Sequence, residues 1–392
     1  MGLPDVNIIT SNGNLRRTST VTSDGVAGMV LTGAAVAGKL ELNKHYQLSS
    51  TADLTTYGIT AENNPLAYKE ITAFYQKTGD GAELHLLMVA EATTLTQMCA
   101  AEDGSPLRKL LDGAQGRIRL VGVNRLPPAE YKAETTQGID EDAITAAAAA
   151  QSVCLTYQKK MRSFRLLMPA PAYDDTSDAL YKPREGSYNA VPFVLASDDP
   201  ATKTAAIGQI LGRAASVSPQ VSIARVRDGA IATDGYLTNG KSIADMEGKL
   251  AALHDAGYII YRSFPTRNGV YLNDDPTAAP VSDDFSNLNT GRIIDKARMI
   301  VYEAYLSEVM DNVEADENGF LTAEAALAYQ GVFENAIADN MDGQISGFSA
   351  YVEPKQNILG TSKLKAKGRI RLLGTLRDIE FDLGLENPYK NS

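Results

Sequence analysis

This chain of 392 residues has three histidines, two cysteines and no apolar run near the ~20 residues that a membrane-crossing helix requires. Its first residues lack the charged-then-apolar pattern of a secretory signal. The expectation is a protein made in the cytoplasm, not exported by the general secretory route and not inserted directly into a membrane. His45, His85 and His254 are far apart in sequence, and there is no His-x-x-x-His pair, no cysteine pair at metal spacing and no Gly-x-Ser-x-Gly elbow. The G-x-G-x-x-G dinucleotide fingerprint is also missing. No catalytic residue, metal ligand or cofactor is therefore assigned. Cys99 and Cys154 lie in helix-like segments and read as small buried hydrophobes. The net charge of −11 favours solubility and disfavours nucleic acid as a partner.

With 44% hydrophobic and 22% charged residues, the composition is that of an ordinary globular chain, long enough for two domains or one with a large insertion. After "DVNII" (Asp5, Val6, Asn7, Ile8, Ile9) comes a polar stretch, "TSNGNLRRTSTVTSDG", that reads as an extended arm. Strand-like and helix-like segments then alternate: "GVAGMVLTG", "NPLAYKEITAFYQKTGDG", "AELHLLMVA", "TTLTQMCAA", "GRIRLVGVN", "IDEDAITAAAAAQSVCLTYQKKM", "FRLLMPA", "AVPFVLA" and "ATKTAAIGQILGRAASV". This order predicts an α/β domain over residues 21–277 with a mixed or mainly parallel, helix-flanked sheet. In "SIADMEGKLAALHDAG", Ser242 and Asp245 have a capping-box-like spacing and Gly257 closes the helix. Asn268-Gly269 predicts the turn of a hairpin.

"NDDPTAAPVSDDFSN" is a polar, Asp/Pro-rich connection and the expected domain boundary. Two long helices and then strands follow, which predicts a separate α+β domain over residues 278–374 and a terminal strand arm over 375–392.

Two motifs invite a ligand and fail on their details. "GAAVAGK", at 33–39, has the glycine and lysine spacing of a phosphate loop. Leu40 stands where a Mg²⁺-binding hydroxyl is needed, and the next segment alternates like a strand. "EADENGFLTAEA", at 314–325, resembles a calcium loop through Glu314, Asp316, Asn318 and Gly319. Ala325 replaces the bidentate glutamate, so a helix-helix loop with Thr322 as N-cap is the better account.

One constellation stands out. In "KLKAKGRIRLL", Lys363, Lys365, Lys367, Arg369 and Arg371 share one face of a predicted strand, while Leu364, Ala366, Ile370 and Leu372 share the other. From 355 to 377 there are seven bases and no acid. Such a face is either a solvated edge that resists aggregation or a surface for an acidic partner. Further on, Ile379, Phe381, Leu383 and Leu385 alternate with Glu380, Asp382, Gly384 and Glu386, the period of a half-buried strand. Neither this strand nor "DVNII" has a local partner.

As an ordered series, these parts resemble the contractile tail sheath proteins of phages, R-type pyocins and related injection systems. The resemblance runs through "GMVLTGAAVAGKLELNKHYQLSSTADLTTYGIT", "IADMEGKLAALHDAGYIIYRSFPTRNGVYL", "RIIDKARMIVYEAYLSEVM" and "ISGFSAYVEPKQN…KLKAKGRIRLLGTLRDIEFDL". The Arg-Thr that often follows the hairpin in that family is missing at "VYLNDDPTA". The resemblance implies a non-enzymatic subunit of a helical homopolymer with six-fold rings. The polymer would surround a tail tube and meet baseplate and tail terminator proteins. Residues 1–20 and 375–392 would donate strands to neighbouring copies, through Asp5, Val6, Asn7, Ile8 and Ile9 and through Ile379, Phe381, Leu383 and Leu385. The five-cation face would meet the tube, with the helix at 322–341 as the alternative. An α/β enzyme, or a tube or baseplate protein, is the competing expectation.

Overall fold

The computed structural model describes residues 24–385; the expected arm residues Asp5, Val6, Asn7, Ile8 and Ile9 lie outside that range. Strand β1 (Ala27–Thr32) leads through β2 (His45–Leu48) and helices α1 (Ala52–Tyr57) and α2 (Pro65–Thr78) to β3 (Leu84–Val89). Helices α3 (Leu95–Met98) and α4 (Pro106–Gly113) precede β4 (Leu120–Asn124). A short ribbon, β5 (Thr135–Thr136) with β6 (Ile139–Asp140), opens the long α5 (Glu141–Lys159), which leads to β7 (Arg165–Pro169). Then come β8 (Phe193–Val194), β9 (Ala196–Ser197), α6 (Ile207–Ser216), β10 (Tyr236–Leu237), α7 (Glu247–Ala256) and β11 (Tyr258–Ile259). Seven of these strands form one sheet of order β11-β8-β7-β4-β1-β3-β2. It is parallel except for β2, which runs antiparallel to β3.

Helices cover both faces of this sheet, so its central strands are apolar at nearly every position. The alternation of side chains sorts them. Met29, Leu31, Leu86 and Met88 pack with Ile71 and Phe74 of α2 and Ile207 and Ile210 of α6. Val30, Leu87, Val121 and Val123 pack with α3, α4 and α5 on the opposite face. Helices α2 and α6 approach so closely that Gly208 and Gly212 lie on the α2 backbone. A Cβ at Gly212 would come 2.7 Å from the Phe74 carbonyl oxygen.

Two sequence readings are corrected here. The hairpin forms between β12 (Tyr261–Phe264) and β13 (Arg267–Leu272), but Phe264 pairs with Arg267, so Pro265 and Thr266 make the turn. Gly269 instead lies within β13, where its positive φ of 79° brings it against Ala230 and Ala232. Ser242 and Asp245 do bond, the Asp245 amide donating to Ser242 Oγ at 3.2 Å, but they close a turn upstream of α7, which starts at Glu247. The connection at 273–287, polar in composition, is packed into the fold: Asp275, Thr277 and Ala278 are fully buried.

The chain then forms α8 (Leu288–Leu306), α9 (Ala323–Met341), β14 (Ile345–Val352), α10 (Ile358–Thr361) and β15 (Ala366–Leu372). Strands β14 and β15 pair antiparallel as a separate two-stranded sheet. Ile293, Ala297 and Ile300 of α8 meet Phe333, Ile337 and Met341 of α9 in a second, smaller core. Thr322 caps α9 as expected, accepting from the Ala325 amide at 3.2 Å. The N-terminal half of α8 is fastened to the first unit. Arg165 pairs with Asp295 at 2.6 Å and donates to the Gly291 carbonyl at 3.0 Å, while Lys296 pairs with Asp24 at 2.6 Å.

Candidate assembly surfaces

The five-cation stretch is placed in two parts. Strand β15 begins at Ala366, so Lys367, Arg369 and Arg371 lie on it and Lys363 and Lys365 precede it. Lys365 is nevertheless held as if in a strand. Its amide donates to Gln356 Oε1 at 2.7 Å, and its carbonyl accepts from Gln356 Nε2 at 2.8 Å. The two-sidedness read from the sequence is present. Gly368 sits on the Phe333 ring and Ile370 packs into the α8–α9 core, while Lys367, Arg369 and Arg371 face outward and exposed. Across the sheet, Tyr351, Ser349 and Gly347 stand opposite these three cations. The exposed face therefore carries no acid from its partner strand. Leu372 and Ala366, expected on the covered face, are exposed, although their partners Ile345 and Val352 on β14 pack against the helices.

Beside Ile370 and Gly368 an apolar groove of about 460 Å³ opens between β15 and the C-terminal half of α8, lined by Val301, Tyr302, Tyr305 and Phe333. After β15 the chain continues without regular structure. Ile379, Phe381, Leu383 and Leu385 are each at least 79% exposed. Among the described residues, 373–385 thus form no strand in the single chain. Within these described residues Arg377 alone forms ion pairs, reaching Asp274 at 3.2 Å.

The other sequence candidates resolve as structure. At 33–39 the chain turns back through Val36 and Leu40, whose amides bond each other's carbonyls, and Asn64 Oδ1 accepts from the Ala34 amide at 2.7 Å. In the calcium-like loop, Asp316 Oδ1 accepts from the Asn318 and Phe320 amides, both at 2.9 Å, so that carboxylate closes its own turn. Cys99 and Cys154 are buried, which pushes both thiols up. Two of the three histidines, remote in sequence, come together: His45 Nε2 and His85 Nδ1 are 2.7 Å apart, and Glu83 holds His85 from the other side at 2.7 Å. Burial lowers the pKa of both rings. Only the antiparallel pairing of β2 with β3 creates that contact, and no local spacing announces it. Among the described residues no three His, Cys, Asp or Glu side chains are placed to hold a metal ion, and no helix is long and apolar enough to cross a membrane.

Solved structures of contractile sheath proteins share this fold. The helical sheath of the anti-feeding prophage in its contracted state matches with a TM-score of 0.61 over 99% of each chain at 15% identity. The sheath complex of an extracellular contractile injection system, PVC, also contracted, matches at 0.59 over 100% of this chain and 99% of that one, at 12% identity. A sheath tail protein from Desulfitobacterium hafniense matches at 0.52 over 94% of this chain and 100% of its own, at 10% identity. No curated protein matches the sequence. The model of the DUF2586 N-terminal domain matches residues 3–276, and the chain belongs to the DUF2586 family.

Proposed function

We propose that this chain is the structural subunit of a contractile sheath, polymerising helically around a tail tube and shortening to drive the tube through a target envelope. The observation that carries the reading is the correspondence of fold along almost the whole length of both chains with a sheath subunit, including the second unit. Residues 21–277 form the outer α/β domain, residues 278–374 the inner α+β domain, and the two ends serve as arms. A strand with four exposed apolar residues on one face gains by pairing with a sheet edge, and the two-stranded sheet of β14 and β15 has two free edges. Donation of 379–385 to a neighbour, and of Asp5, Val6, Asn7, Ile8 and Ile9 likewise, links copies head to tail, and contacts of that kind generate filaments. The partners are further copies of the chain in six-fold rings, the tube, and baseplate and terminator proteins. Assembly takes place in the bacterial cytoplasm. The face of Lys363, Lys365, Lys367, Arg369 and Arg371 meets the tube, through contacts that are polar and weak enough per subunit to be released.

Negative-stain electron microscopy of the purified chain at rising concentration tests this. Striated hollow tubes are expected. A uniform field of small closed particles would replace the reading with that of an α/β enzyme.

A further inference from the structure

We propose that Arg377 is the positioning residue of the C-terminal arm, fixing the point where the arm leaves its own subunit by filling a cation site made by Asp274 and Asp275. This rests on the strand-donation reading above. The site is built from the first unit. Asp274 and Asp275 are adjacent in sequence at the end of β13, with side chains only 9% and 1% exposed. Asp275 is committed to the start of α8, accepting from the Asn289 amide at 3.1 Å and from Asn287 Nδ2 at 3.2 Å. Asp274 and Asp275 share a side-chain hydrogen bond, and the negative charge that remains on the buried pair calls for a cation. Arg184 supplies only a long contact, 3.9 Å from Asp274. Arg377 supplies the close one: its Nε lies 3.2 Å from Asp274 Oδ2, and its Nη2 lies 3.3 Å from Asp274 Oδ1 and 3.8 Å from Asp275 Oδ1. The planar fork of the guanidinium makes two contacts with Asp274 while it reaches Asp275, a geometry that an ammonium does not reproduce.

The place of this contact along the chain gives it its role. Among the described residues 373–385, Arg377 alone forms ion pairs. It stands directly before the alternating stretch, so Ile379, Phe381, Leu383 and Leu385 all lie beyond the anchor. Residues 373–376 are tied at both ends, to β15 and to Asp274. The eight residues 378–385 could span about 26 Å when extended, and they start from a fixed point on the junction between the two units. An arm anchored there offers its strand in one direction, which lowers the entropy lost when a neighbour takes it up.

Trypsin reads the anchor directly, because it must take the Arg377 side chain out of the carboxylate pair to cut after it. In the full-length unassembled chain, D274N and R377K are expected to be cut after position 377 about tenfold faster than wild type, as for loss of one charge-assisted contact. Melting should be unchanged in R377K, which alters only a half-exposed arm residue. Equal cleavage rates in wild type, D274N and R377K would overturn the anchor. R377Q should keep the fold but raise the critical concentration for polymerisation about tenfold; an unchanged critical concentration would overturn the positioning role. A chain ending at Arg377 keeps the anchor and loses the strand. If that chain polymerises normally, strand donation fails, while the trypsin result still judges the anchor.

Discussion

Arg165 on β7 and Asp295 on α8 form an ion pair of 2.6 Å in which both side chains are at least 93% buried, and the pair joins the large sheet to the helix that begins the second unit. Its remaining donors are satisfied, by the Asn189 carbonyl at 2.9 Å and the Gly291 carbonyl at 3.0 Å. Gly291 is required here, since a Cβ on it would collide with the guanidinium. Removing one partner strands a buried charge. Asp295→Ala is expected to destabilise the chain by about 3–5 kcal/mol, and Arg165→Met combined with Asp295→Leu by clearly less. Urea unfolding of the two variants decides this; equal losses would mean that the junction is held by packing alone.

Where α2 crosses α6, the contact depends on side chains that are absent. Gly212→Ala places a methyl group against the Phe74 carbonyl and should cost about 1–3 kcal/mol despite the better helix propensity of alanine. A melting temperature at or above that of wild type would show that the helices can separate freely.

Glu70 lies fully buried between these helices, bonded to the Gly208 amide and to Asn124. Burial pushes its carboxyl up to about 7, against the opposing pull of Lys69. The native state therefore holds a proton between the ordinary carboxylate range and about pH 7 that the unfolded chain has released. Stability from this group falls as pH rises through that window and stays low above it. Asp275, raised to about 7 by burial and by Asp274, acts in the same sense, while the lowered His45 and His85 act oppositely as pH drops below about 6.5. Glu70→Gln should flatten the decline between pH 5 and pH 8 relative to wild type. Parallel stability curves for the two proteins would assign the slope to other groups.

On the basic face, replacing Lys363, Lys365 and Lys367 with Glu should leave self-assembly intact and weaken attachment to a tube. The wild-type attachment should also weaken with added salt, as exposed charges are screened within about 8–10 Å at physiological ionic strength. Co-sedimentation with tube protein measures both effects. Unchanged binding would move the contact to another element, with α9 the first to examine.

Much of the first unit could be read directly. Largely apolar runs such as "GMVLT" and "LHLLMV" are what a sheet covered on both faces requires, and glycines at 79 and 257 end helices α2 and α7 where expected. Helix α4 was missed although its signals are local. Ser105 precedes Pro106, and Leu107, Leu110 and Leu111 repeat at helical spacing and are buried. The Asn268-Gly269 signal misled because Pro265 and Thr266, between β12 and β13, already close the hairpin.

The sequence by itself determined which residues alternate, which segments are apolar on two faces and where cations gather without acids, because these depend on spacing along the backbone. Tertiary structure alone decided which distant groups meet. Arg165 finds Asp295 across 130 positions, His45 finds His85 through strand pairing, and Arg377 finds Asp274 across 103. Such pairs form when folding makes burial of one charge conditional on the arrival of another, a condition that no local pattern records.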